Sequence, residues 1–200
     1  MSFHPLMMYD QRFHKSERKV ADDGPEFTFT AERRARLDEI VTKYPPDQKR
    51  SAILAALYLV QEQQGYLTAN GMRHVAGILD MTPAEVEDVA TYYVMFYREP
   101  VGKYVLQVCR TLSCALMGAE RVTEALSEKL GIKVGETDKS GLFTLLEFEC
   151  LGACDRAPIV MVNNEHWHEK VAPEQVGALV DDIKAKGEAA FSGCHLHVER

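Results

Sequence analysis

Apolar residues recur at helical spacing through the first half of the chain and gather into short β-branched runs through the second. Leu37, Ile40, Val41 and Tyr44 fall at i, i+3, i+4 and i+7 and make one apolar face, and Tyr44-Pro45-Pro46 stops that helix. A second helix is expected to follow Asp47 through Ile53, Leu54, Leu57 and Val60. Gly65, just past a polar Gln-Glu-Gln-Gln end, terminates it. Thr68 is placed to cap a third helix with Met72, Val75, Ala76 and Leu79 inward. The fourth opens on Thr82-Pro83-Ala84-Glu85, where threonine caps, proline takes the first helical position and glutamate closes a capping box. Val86, Val89, Ala90 and Tyr93 form its inner face. Four short helices with brief connections predict a small bundle over residues 27 to 98.

Near Pro100 and Gly102 the period changes. KYVLQVC, residues 103 to 109, reads as a buried strand whose last residue is a cysteine. From Cys114 an amphipathic helix is expected, carrying Leu116, Met117, Ala119, Val122, Ala125, Leu126 and Leu130 and ended by Gly131. LFTLLEFEC, 142 to 150, is a second strand that delivers a cysteine, and Pro158 to Val162 is a third. Asn163-Asn164 turns the third into a strand around Trp167, and Pro173 opens a last helix with Val176, Leu179, Val180 and Ile183 inward. Strand, helix, strands and helix in that order predict an α+β or α/β domain over residues 99 to 187, with cysteines at strand ends. Residues 1 to 26 mix charge and proline with scattered apolar side chains, lack the continuous apolar stretch of a signal peptide, and read as a flexible arm suited to wrapping a partner. Residues 188 to 200 are expected to form a tail.

With 200 residues, 46% of them apolar, the chain is long enough to bury a sizeable core. Its formal net charge of -7 argues against nucleic acid or an anionic membrane surface as partner. No run of eighteen apolar residues occurs; the longest, AILAALYLV at 52 to 60, has the length of a buried helix, so no direct membrane insertion is expected.

Four cysteines carry the chemistry: Cys109 and Cys114 in CRTLSC, spaced C-x4-C, and Cys150 and Cys154 in CLGAC, spaced C-x3-C, with residues 115 to 149 between the pairs. Soft thiolates in two short loops suit a thiophilic metal, as zinc or as an iron-sulfur cluster. Structural zinc sites space paired cysteines by two to four residues, so the spacing alone leaves zinc open. The plant-type ferredoxin run is absent. No C-x-x-C occurs, which removes thiol-disulfide exchange of the thioredoxin kind. Two disulfides fit poorly without a secretory signal, and four independent core cysteines fit poorly with two close pairs in glycine-containing loops.

The segments ALYLVQEQQGYL (56 to 67), VATYYVMF (89 to 96), PVGKYVLQVCRTLSCALMG (100 to 118) and ECLGACDRAPIVMVNN (149 to 164) resemble one family of NADH:quinone oxidoreductase subunits, the thioredoxin-like 2Fe-2S ferredoxin subunits of respiratory complex I. The resemblance spans roughly residues 27 to 187 in the family's order. It implies a thioredoxin-like domain after the helical bundle, and one 2Fe-2S cluster held by Cys109, Cys114, Cys150 and Cys154. It also implies an electron accepted from the FMN of a partner subunit that binds NADH. Other peripheral-arm subunits would be neighbours, and the location would be cytoplasmic, peripheral to the inner membrane. This chain has no Gly-rich dinucleotide fingerprint of its own, in keeping with NADH and FMN residing on the partner. Two departures stand out: Leu112-Ser113 replaces a frequent Thr-Pro before the second cysteine, and Ala172 replaces a frequent threonine cap before Pro173. A related reading keeps the cluster but assigns the chain to the diaphorase module of an NAD-linked hydrogenase or formate dehydrogenase. A zinc-stapled interaction module is the alternative of another class.

A cluster of this kind carries a formal charge of about -2 that becomes about -3 on reduction, so donors to sulfur matter. Backbone N–H groups of Gly152 and Ala153, and of Thr111 to Ser113, are the expected donors, and Arg110 and Arg156 are candidates for positive potential. Cys194, His195 and His197 make a possible metal-binding tail, with a fortuitous surface cluster as the plain alternative. His166 and His168 straddle Trp167 and are expected as exposed hairpin residues. Glu147, Glu149 and Asp155 are expected to solvate the rim of the centre.

Overall fold

A computed structural model describes residues 23 to 192. Most of the arm, together with Cys194, His195 and His197, lies outside the described residues. The chain divides into two compact units between Pro100 and Val101.

The first unit is built from four helices, α1 (Ala31–Val41), α2 (Ile53–Gln64), α3 (Ala69–Leu79) and α4 (Pro83–Tyr92). Thr68 caps α3 by accepting from the Gly71 amide, and Thr82 and Glu85 form the capping box expected at α4. α2 differs from expectation. Residues Pro46–Ala52 wind as a 3-10 helix with Gln48 at non-helical angles, and the α-helix starts only at Ile53. Tyr44 lies beyond the end of α1 and is exposed, not on an inner face. The polar end of α2 is spent on loops: the Gln61 amide group donates to the Met95 carbonyl at 3.0 Å and accepts from the Tyr97 N–H at 2.7 Å. Gln63 likewise bonds the backbone of Thr28 and Thr30. The core joins Leu37 of α1, Ala56, Leu57 and Val60 of α2, Val75 and Leu79 of α3 and Val86 and Ala90 of α4.

The second unit is a four-stranded sheet of β1 (Tyr104–Cys109), β2 (Phe143–Phe148), β3 (Val160–Val162) and β4 (His166–His168), in the order β2-β1-β3-β4. β1 pairs parallel to β2 and antiparallel to β3, and β3 pairs antiparallel to β4. All six residues of β1 are buried, which is why the segment reads as a nearly unbroken apolar run. Alternate residues Tyr104, Leu106 and Val108 join a core with Val122 and Leu126 of α6 (Ala119–Leu130) and Val180 and Ile183 of α7 (Val176–Lys186). The expected order of a helical unit followed by an α/β unit is the order observed.

Three local expectations are corrected. The helix expected from Cys114 to Leu130 is two helices: α5 (Leu112–Leu116) ends at Met117, and Gly118, at φ 92, breaks the chain before α6. A side chain at Gly118 would meet both a left-handed backbone and the Arg121 guanidinium. Leu116 and Met117, expected inward, are 78% and 61% exposed. Across the boundary with the expected tail, Gly187–Phe191 forms a 3-10 turn whose Phe191 is only 1% exposed. His166 and His168 are not exposed hairpin residues: His166 stacks on Phe191, and His168 packs edge-on against the same ring.

Candidate metal centre

β1 and β2 run parallel with Cys109 opposite Phe148, so the chain leaves both strands at the same end of the sheet and at one level. The amide of Arg110 still bonds the Phe148 carbonyl, carrying the ladder to the mouth of the first loop. Cys109 is the last residue of β1. Cys114 sits in α5, Cys150 follows β2, and Cys154 begins a 3-10 turn, Cys154–Arg156. Gly152, at φ 83, turns the second loop back.

All four thiols are free, with Cys109 and Cys114 buried and Cys150 and Cys154 exposed. They gather as two pairs. Cys109 and Cys114 are hydrogen-bonded to each other, and the Cys150 and Cys154 sulfurs lie 3.4 Å apart. The pairs are also near enough to feel one another's charge, since ionisation of Cys109 or Cys154 opposes ionisation across the gap. Among the described residues no three His, Cys, Asp or Glu side chains gather as ligands of one metal ion.

Donors surround the sulfurs. The Gly152 N–H reaches Cys150 at 3.4 Å, as the loop sequence leads one to expect. Others escaped the sequence. The Leu151 amide donates to Cys109 across the two loops, and the Ile159 amide, just before β3, donates to Cys114. Two hydroxyls join them, Thr111 at 3.3 Å from the Cys109 sulfur and Ser113 at Cys154. The signal for the hydroxyls was present in the composition of CRTLSC. Ile159 carried none, because its role depends on β3 pairing with β1, which brings the Ile159 carbonyl to the Cys109 amide at 3.1 Å.

These contacts divide the thiols by acidity. Burial opposes ionisation of Cys109, but the Thr111 hydroxyl and amide with the Cys114 and Leu151 bonds outweigh it, and its pKa falls below the ordinary thiol value. Burial and the bond to Cys109 push Cys114 up to about 11. The Gly152 amide lowers Cys150, and the hydrogen bond from Cys154 to Cys150 raises Cys154. In each pair the hydrogen bond between the two sulfurs lowers the pKa of one and raises that of the other. Four thiols with converging N–H and O–H donors form a donor set that fits an iron-sulfur cluster.

The charged rim is already paired. Arg110 lies 3.2 Å from Glu149 and 3.9 Å from Glu147, and Arg156 lies 2.7 Å from Glu169 and 3.2 Å from Asp155. Neither arginine is the unopposed positive charge the sequence allowed for. Glu147, Glu149 and Asp155 do not merely solvate the rim, because they neutralise these guanidiniums. An open cleft of about 530 Å³ lies beside Cys154, bordered by Met117, Arg121, Pro158 and Lys170.

Comparison with known proteins gives this arrangement its context. Residues 37 to 184 match the family described as thioredoxin-like [2Fe-2S] ferredoxin. A Rickettsia bellii protein named as a subunit of NADH-quinone oxidoreductase is 42% identical over 159 residues, covering 79% of this chain and 95% of that one. The Thermus thermophilus protein named NADH-quinone oxidoreductase subunit 2 is 42% identical over 149 residues, covering 74% and 82%. Among solved structures, an NAD+-reducing [NiFe]-hydrogenase in the H2-reduced state superposes with a TM-score of 0.58 at 20% identity. That likeness covers 68% of this chain and 23% of the longer hydrogenase chain, and concerns the fold. With three quarters of its length matched to one family and close relatives along most of it, the chain belongs to the thioredoxin-like [2Fe-2S] ferredoxins.

Proposed function

We propose that this chain is the 2Fe-2S electron-transfer subunit of an NADH:quinone oxidoreductase, with Cys109, Cys114, Cys150 and Cys154 as the protein ligands of the cluster. The observation that carries this reading is the meeting of four free thiols, from the ends of two parallel strands and the loops after them, as two pairs at one end of the sheet. Two pairs suit two neighbouring irons, whereas a zinc staple needs its ligands around one point. Assignment to the quinone-reducing complex rests on relatives bearing that name at 42% identity.

When bound, a 2Fe-2S cluster supplies one-electron storage and release. The work of this chain is to hold and bias it. The buried Cys109 and Cys114 anchor one side in the core, and the exposed Cys150 and Cys154 leave the other side open to a partner. The amides of Leu151, Gly152 and Ile159 offset negative charge on sulfur and favour the reduced state. NADH and FMN reside on a partner subunit that docks at this open side, and other peripheral-arm subunits flank the chain. The assembly is cytoplasmic and peripheral to the inner membrane; no helix among the described residues is long and apolar enough to cross one.

Anaerobic purification with iron, sulfide and zinc analysis tests the reading. About two irons and two acid-labile sulfides per chain, with a paramagnetic signal appearing on reduction, are expected. Stoichiometric zinc in a colourless protein overturns it. Chains that co-purify test the complex: quinone-reductase membrane subunits support the assignment, and a nickel or molybdenum catalytic subunit replaces it with a hydrogenase or formate dehydrogenase.

A further inference from the structure

Thr111 stands at the N-cap of α5 with extended backbone angles, φ -80 and ψ 172, the position where a threonine hydroxyl ordinarily accepts from an amide one turn on. It makes no such bond. The helix is closed there by backbone alone, the Ala115 N–H donating to the Thr111 carbonyl at 2.9 Å. The hydroxyl is turned instead toward sulfur. It lies 3.3 Å from the Cys109 sulfur and also hydrogen-bonds Cys150, so one side chain touches one thiol of each pair.

We propose that the Thr111 hydroxyl is a positioning donor shared between the two cysteine pairs, and that it raises the reduction potential of the centre they form. The inference rests on the cluster assignment above. A metal-bound thiolate has lost its proton and can only accept, so the hydroxyl, with one proton, must be the donor. Rotation about the Cβ–Oγ bond aims that proton at either sulfur. Reduction increases negative charge on the sulfurs, so donation stabilises the reduced state more than the oxidised one. Cys109 is 2% exposed, so water does not take the place of a lost hydroxyl.

The test uses the full chain carrying its reconstituted cluster and compares Thr111→Val, Thr111→Ala and Thr111→Ser by spectroelectrochemical measurement of the midpoint potential. Val has nearly the shape of Thr and forfeits no cap bond, so α5 is left intact. At a potential that half-reduces the wild type, the reduced fraction of Thr111→Val and Thr111→Ala is expected to fall well below one half, and Thr111→Ser to track the wild type. Unchanged potentials in Thr111→Val overturn the proposal, as does a Thr111→Ser shift equal to that of Thr111→Val. Failure of both Val and Ala variants to assemble a cluster while staying folded also overturns it, by making the hydroxyl an assembly element. In each of these cases the wild type still binds iron and sulfide, and the cluster assignment survives; a wild type that binds neither removes both.

Discussion

The indole N–H of Trp167 donates to the carbonyl of Leu151 at 3.1 Å, so a side chain of β4 holds the loop that carries Cys150 and Cys154. The amide of the same leucine donates to Cys109. Leu151 is therefore fixed at both of its backbone polar groups. Trp167→Phe keeps an aromatic ring in place and removes the donor. A net hydrogen bond of about 1 kcal/mol corresponds to about a fivefold change in equilibrium, so iron release to a chelator should quicken by about that factor. An unchanged release rate shows that the loop holds itself.

Loss of iron should accompany each of Cys109→Ser, Cys114→Ser, Cys150→Ser and Cys154→Ser. Serine is a harder and poorer ligand for thiophilic iron. The exposed pair should lose iron with the far-ultraviolet circular dichroism unchanged, because neither side chain belongs to the core. Any one variant with wild-type iron and sulfide content removes that cysteine from the ligand set.

Phe191 is expected to matter more than its place near the end of the chain implies. It stacks on His166 with 4.3 Å between ring centroids and 8° between planes, and lies against Tyr104 and His168. Phe191→Ala should cost about 3 to 5 kcal/mol of stability, read from urea denaturation. A loss below about 1 kcal/mol means the site collapses around the gap at little cost.

The same cluster makes stability sensitive to acid. Burial, and then the neighbouring His166, lower the pKa of His168 below its ordinary 6.5. The unfolded chain thus binds a proton more readily than the folded one. Stability from this group is fully present above the unfolded value and is lost as pH falls through the folded value. His168→Gln, which carries no proton to gain, should lose less stability than the wild type between neutral pH and pH about 5. Equal losses in the two proteins refute the link.

In the helical unit, the Thr82 hydroxyl accepts from the Glu85 amide while Glu85 accepts from the Thr82 amide. Thr82→Ala should destabilise by about 1 kcal/mol in thermal or denaturant unfolding, the ordinary cost of a lost threonine cap. No measurable change indicates that Pro83 and the packing of Val86 start the helix unaided.

Capping chemistry made the helical unit legible: Thr68, and Thr82 with Glu85, announce their helices locally. The strands were legible because β1 and β2 are largely buried on both faces and so mostly apolar. Where local signals were ambiguous the sequence misled. Leu116 and Met117 keep the helical period, so nothing but the backbone of Gly118 reveals that they point to solvent. The cysteine pairs were visible as spacing. Their surroundings were less so, because the Ile159 amide and the Trp167 indole reach the loops through sheet pairing that no short-range pattern encodes. The partial cover of His166 and His168 is hidden for the same reason, the ring that covers them belonging to a residue more than twenty positions away.

The parallel pairing of β1 with β2 separates two distances that look linked on paper. Cys109 stands level with Phe148 whatever length of chain joins them. The segment between α6 and β2 is itself tied to the sheet, by Thr137 opposite Thr144 and the Gly135 amide on the Leu145 carbonyl, and it buries Ile132 in the core. One residue added inside β2 would reverse every following side chain and swing Cys150 to the wrong face. For protein engineers, the ends of both strands and the segment that braces β2 are the parts to leave untouched.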